Sequence, residues 1–123
     1  MILIEIVIVK ENAAGHDTEP VFLRWSHMKA TSILQVENER VIVTEWRFAP
    51  GADTGYHVHG HDYVVVPLTS GTLRLEEPAG VRDAHLKAGA SYARPAGVAH
   101  NVINANDFEF RFVEIELKEP PAA

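Results

Sequence analysis

From Pro50 onward the chain is cut at short, nearly even intervals by turn-forming residues. These are Pro50-Gly51-Ala52-Asp53, Ser70-Gly71, Pro78-Ala79-Gly80, Lys87-Ala88-Gly89, Pro95-Ala96-Gly97 and Asn106-Asp107. Glycine and proline impose backbone angles, or remove a donor, in ways that regular elements do not tolerate. The segments between them, 56–59, 63–68, 72–76, 82–86, 91–94, 100–104 and 108–117, are short and rich in β-branched and aromatic residues. None carries a convincing helical period. Strands at such spacing predict an all-β sandwich or barrel. Upstream, 2–9 reads as a strand and 10–20 as a loop, while 22–33 gives no clear pattern. Apolar alternation returns at 34–36, and Glu37-Asn38-Glu39 reads as a hairpin tip leading into a strand over 41–48. The last residues, 120–123, are expected to fray.

Composition narrows the function. A chain of 123 residues is expected to form a single domain over its whole length, and at 46% hydrophobic it has the material for a core. Seventeen acidic against 11 basic side chains give a net charge of −6, which argues against a nucleic-acid partner. No stretch approaches the ~20 apolar residues of a membrane span. The apolar start contains Glu5 and has no basic segment before it, so a secretory leader is not expected and the cytoplasm is. Cysteine is absent, which removes disulfides, thiolate metal sites and a cysteine nucleophile together. Against this background seven histidines stand out.

His57 and His59 are two residues apart, so on a strand their rings share a face. His100 follows the Pro95/Gly97 turn and opens another strand. If the two strands face each other across a barrel, three imidazoles meet. The two segments resemble the signature motifs of the cupin superfamily. The second, G-x5-P-x-G-x2-H-x3-N, is matched at Gly89, Pro95, Gly97, His100 and Asn104. The first, G-x5-H-x-H-x(3,4)-E-x6-G, is matched at Gly51, His57, His59 and Gly71. By composition alone the second motif arises on the order of once in 10⁴ to 10⁵ chains this long. The motifs cover 51–104, and the flanking strands suit the same barrel. The resemblance implies a double-stranded β-helix, the jelly-roll barrel. The wording also resembles small single-domain bacterial cupins, some labelled β-alanine-degradation proteins. One departure matters: the motif's glutamate falls at position 63 or 64, where this chain has Tyr63 and Val64. Asp62 is nearby, but a one-residue shift turns a side chain to the other face. The ligand set implied is therefore His57, His59 and His100. His61 keeps their parity and is either a fourth ligand or a rim residue, because Gly60 invites a bulge.

Plainer roles are expected elsewhere. His16, His27 and His85 match nothing and are read as exposed. The motif glycines are read as turn or close-approach positions, and Asn104 as a residue that fixes a loop or strand end. Phe108, Phe110 and Phe112 alternate onto one face and are read as core. Of Trp46 and Arg47, one faces inward. The apolar 2–9 strand is either an internal strand or one that pairs with a second subunit, and a homodimer is expected.

Three neutral imidazoles leave a divalent ion its full charge, which suits a small anionic or chelating ligand. Such ligation fits Fe, Zn, Ni or Cu better than Mn or Mg. The resemblance extends to cupin dioxygenases that use iron and three histidines, so iron and a dioxygenase acting on a small organic acid are the first expectation. In it Tyr63 or Tyr92 donates a hydrogen bond near oxygen and Arg94 or Arg47 meets a substrate carboxylate. Each ligating ring needs its other nitrogen held, with Asp62, Asn104 and backbone carbonyls as partners. Metal-assisted isomerisation or hydrolysis is the alternative; it needs a general base, for which the motif region offers only His61 and Asp62. A non-catalytic module binding a small ligand is the third reading.

Overall fold

The computed structural model describes residues 28–119, together with the two short strands β1 (Glu11–Asn12) and β2 (His16–Asp17). The expected 2–9 strand, His27 and the 120–123 tail lie outside the described residues. Nine further strands follow in chain order: β3 (Thr31–Glu37), β4 (Val41–Phe48), β5 (His57–Val58), β6 (Asp62–Pro67), β7 (Gly71–Glu77), β8 (Gly80–Leu86), β9 (Tyr92–Arg94), β10 (Ala99–Asn104) and β11 (Phe110–Leu117). Among the described residues there is no helix.

The strands form two main antiparallel sheets, one in the order β5-β10-β7-β8 and one in the order β3-β4-β11-β6-β9. This is the jelly-roll arrangement. The loop expected over 10–20 holds the β1–β2 pairing, Glu11 opposite Asp17 and Asn12 opposite His16. The β3–β4 tip forms as read: the Asn38 carboxamide oxygen accepts from the Arg40 and Val41 backbone N–H groups.

Strict alternation explains the core. On β6, Tyr63, Val65 and Pro67 point inward; on β10, His100, Val102 and Asn104; on β11, Phe110, Phe112 and Glu114. Leu73 and Leu75 of β7 meet them from the other sheet, with Phe48 and Ala52 fully buried. Trp46 packs against this core, its ring 6.5 Å from Phe48, while Arg47 binds the Glu45 carboxylate on the outer face. Phe110 and Phe112 are core residues, but Phe108 lies ahead of β11 and is exposed.

The two sequence motifs are joined by the backbone. Gly51 N–H donates to Asn104 O at 3.0 Å, and Asn104 N–H to Ala52 O at 2.9 Å. Gly97, at φ 95°, turns its N–H onto His59 O at 2.8 Å, while His59 N–H donates to Val98 O at 2.8 Å. A side chain at position 97 would strain that angle. Gly71 serves by closeness: a Cβ there would stand 2.8 Å from Asn106 Oδ1.

Candidate metal centre

β5 and β10 pair with His57 directly opposite His100. His59 follows β5 and is held to the 97–98 turn by the two backbone bonds above. The register and the two-residue spacing bring the three rings together. His59 Nε2 lies 3.0 Å from His57 Nε2 and 3.1 Å from His100 Nε2. The rings meet edge to face, with centroids 4.7 to 5.1 Å apart. His59 and His100 are buried and His57 is half-buried.

Tautomers follow from the partners. Gly55 O can only accept, so the His57 Nδ1 lying 2.8 Å from it carries the proton and Nε2 presents a lone pair. His59 Nε2 faces two other ring nitrogens at once. One proton on it satisfies one neighbour; a cation among the three satisfies both. His100 Nδ1 is buried with no partner among the described residues. Burial holds the His59 imidazole down to about 4, with His57 and His100 adding to the effect. Burial likewise holds His100 at about 4, helped by His57. Both rings are thus neutral at pH 7, the form that ligates metal. These three side chains could hold a metal ion.

The carboxylate missing from the first motif is replaced by an aromatic ring. Tyr63 points inward, 2% exposed, and stacks on His59 at 3.8 Å and 15°, whereas Val64 faces the other way. The Tyr63 hydroxyl is buried without a partner among the described residues, and burial pushes its pKa up to about 12. His61 is outside the strands and outside the three-histidine cluster. Asp62 Oδ1 accepts from Ala96 N–H, and the Asn104 amide serves the 48–49 and 106–108 turns, so neither holds a ligand ring. Tyr92 and Arg94 line the inner cavity beside His57 and His100. Arg47 does not; it stays on the outer face. His85 is exposed and pairs with Thr72 Oγ1.

Sequence reasoning missed Glu114. Its Oε2 lies 3.8 Å from His59 Nδ1, and the residue is 9% exposed. Burial, with Glu116 second, raises its carboxyl to about 7, while Trp46 works the other way. Glu114 is not grouped with His57 and His100 within ligand distance; with His59 and Glu116 it makes a second cluster that could hold an ion, and at 3.8 Å it faces His59 without a hydrogen bond. The signal was available in parity, because Glu114 continues the inward row of Phe110 and Phe112.

A jelly roll of this topology with three convergent histidines is the architecture of the cupins, and the cupin-domain family model matches residues 44–116, more than half of the chain. The chain belongs to the cupin family. It is 66% identical over 90 residues to the β-alanine degradation protein BauB of Pseudomonas aeruginosa, covering 73% of this chain and 95% of that protein. The crystal structure of a cupin domain from Bordetella pertussis Tohama I is 58% identical, with a TM-score of 0.74 over 75% of this chain and 96% of that one. A double-stranded β-helix protein from Klebsiella pneumoniae is 25% identical, with a TM-score of 0.59 over 75% and 86% of the two chains.

Proposed function

We propose that this cupin is a metal-dependent enzyme of the three-histidine dioxygenase type, acting on a small organic acid. The observation that carries the reading is the convergence of three imidazoles, with His59 Nε2 3.0 Å from His57 Nε2 and 3.1 Å from His100 Nε2. Those residues hold the ion, with iron first and Zn, Ni or Cu as the other fitting metals. His61, which is not grouped with the three, takes the rim position. When bound, the ion supplies open positions for the organic acid and for O₂.

The chain's own residues do the rest. Gly55 O fixes the His57 tautomer, and Glu114 faces the outer nitrogen of His59. Tyr63 stacks on His59 and shuts water from that side. The Tyr63 hydroxyl and Tyr92 are the hydrogen-bond donors to oxygen-bearing groups in the cavity, and Arg94 meets the carboxylate. The name of the Pseudomonas relative supports a substrate from the degradation of β-alanine, a short compound bearing a carboxylate.

Glu114 also favours a second reading. A buried carboxyl beside the rings is the general base that metal-assisted isomerisation or hydrolysis lacks in the motif region. A single cupin domain over 1–123, a cytoplasmic location and a homodimer belong to the same proposal; the family match over 44–116 supports the first and the apolar 2–9 segment the last.

The test is elemental analysis of protein purified without a metal-affinity column, beside a His57→Ala/His100→Ala variant, followed by O₂ uptake with short carboxylic acids. About one iron per chain, lost in the variant, with substrate-dependent O₂ uptake supports the dioxygenase. Metal binding with turnover but no O₂ uptake supports isomerisation or hydrolysis. No metal after reconstitution overturns both and leaves a ligand-binding barrel.

A further inference from the structure

The three-histidine cluster lies between two openings of opposite charge. One is a groove bordered by β4, β5 and β11, where Trp46, Glu114 and Glu116 stand beside His57 and His59; its lining contains two carboxyl groups and no Lys or Arg. The other is an open cleft of about 370 Å³ between β8 and β9, the facing edges of the two sheets. Arg82, His85, Lys87 and Arg94 line it, and no Asp or Glu does. In a chain of net charge −6 this is a local reversal of sign.

The basic cleft leads to the histidines. Leu75, Tyr92 and Arg94 line it and also line the inner cavity whose wall includes His57 and His100. That inner cavity is only about 30 Å³, room for one small functional group and not for a whole ligand. Of the two arginines, Arg82 is committed, giving Glu77 two hydrogen bonds at 2.8 and 3.1 Å. Arg94 is not. Its one ion pair among the described residues, to Glu77 Oε2 at 3.8 Å, is too long for a hydrogen bond, and it donates no side-chain hydrogen bond there. Its side chain is nevertheless only 28% exposed. A largely enclosed guanidinium with an unused fork of donors is matched by a carboxylate, which it binds through two parallel bonds.

We infer that the β8–β9 cleft is the entry for a short carboxylic acid, with its carboxylate docked on Arg94 at the neck and its far end in the cavity beside His57 and His100. This rests on the metal-enzyme reading for the role of the far end, but not for the docking itself. Lys87 at the outer end draws anions in, and Glu116 turns them away from the opposite mouth, while Glu114 lines both that mouth and the inner cavity. The inner cavity admits only the ligand's far functional group, so the ligand that fits is short.

The docking is tested on metal-free protein. Propionate, malonate and uncharged propionamide are titrated while backbone amide shifts are recorded by NMR. Saturable shifts over residues 82–94 with both anions and none with propionamide are expected. Arg94→Gln should weaken malonate at least tenfold, Arg94→Lys should fall between, and Arg47→Gln should match the parent. Equal malonate affinity in Arg94→Gln, shifts centred on Trp46 and Glu116, or no saturable binding would each overturn the inference. If Arg94→Gln does not fold, Arg94→Lys decides alone: unchanged affinity overturns the docking, and weakened affinity supports it. Metal content is measured on the same samples. Carboxylate binding that depends on Arg94 in a chain that takes up no metal would keep the cleft and remove the metal reading. Metal uptake with Arg94-independent binding would do the reverse.

Discussion

Replacing Asn104 by alanine should destabilise this protein more than most single changes. Asn104 is 1% exposed. Its amide nitrogen donates to Phe108 O at 2.8 Å, Phe48 O at 3.1 Å and Ala49 O at 3.2 Å. Its Oδ1 accepts from Asn106 N at 2.9 Å and Asn106 Nδ2 at 2.7 Å. One side chain therefore ties the end of β4, the start of β11 and the turn after β10. Truncation leaves several of these groups buried and unmade, at about 1 kcal/mol each after relaxation and up to ~3 for a group that water cannot reach. A loss of about 3–5 kcal/mol follows, against a total of roughly 5–15 for a domain of this size. With a urea m-value of about 2 kcal/mol/M the midpoint falls by roughly 2 M. Asn104→Asp tests the direction of the bonds. It keeps shape and acceptor but turns the donor into a second acceptor facing three carbonyls. At pH 7 it should be at least as damaging as alanine, and it should recover relative to alanine at pH 4–5, where a protonated carboxyl can donate. A loss under about 1 kcal/mol for alanine, or parent-like stability of the aspartate variant at pH 7, would refute the argument.

In the metal-free protein, stability should fall as pH drops from about 6.5 to 4.5. His59 and His100, held near 4, bind fewer protons folded than unfolded across that window, so each loses stability on acidification. Glu114, raised to about 7, binds more protons folded than unfolded and runs the opposite way, its contribution being lost as pH rises through 7. Two against one leaves a net slope of roughly 1 kcal/mol per pH unit, and Glu114→Gln should about double it in urea melts at pH 5 and 6. Tyr63→Phe removes a buried hydroxyl that has no partner among the described residues. It should leave stability unchanged or raise it by up to ~1 kcal/mol and keep metal content, while turnover of a small acid falls at least tenfold. A clear loss of stability would show that the phenol is held by a bond and is not free to serve a ligand.

Most of the barrel was legible because its signals are local. Turn residues mark the strand ends, and the parity of His57 and His59 with the Pro95–Gly97 turn before His100 carries the cluster. The rest depends on contacts distant in sequence. The partner of His57 is Gly55 O, from a loop with no donor–acceptor pattern of its own. Phe108 keeps the alternation of Phe110 and Phe112 but falls before β11 pairs, so period two overreached by one step. Glu114 was readable from that same alternation, yet a charged residue between Val113 and Ile115 on a strand is ordinarily taken as solvent-facing. Which of Trp46 and Arg47 faces inward was settled by the register of β4 against β11, which no single strand encodes.

The three histidines come from two places far apart in the chain. His59 and His100 are 41 residues apart, and their Nε2 atoms are 3.1 Å apart. An ion shared between them closes a loop of that length, in a protein with no cysteine to close one covalently. Chain-entropy arguments value such a closure at about 4 kcal/mol. The metal would then act as a removable cross-link as well as a reagent. Resistance to unfolding would track metal supply, and a chain short of metal would be open to proteolysis as well as inactive.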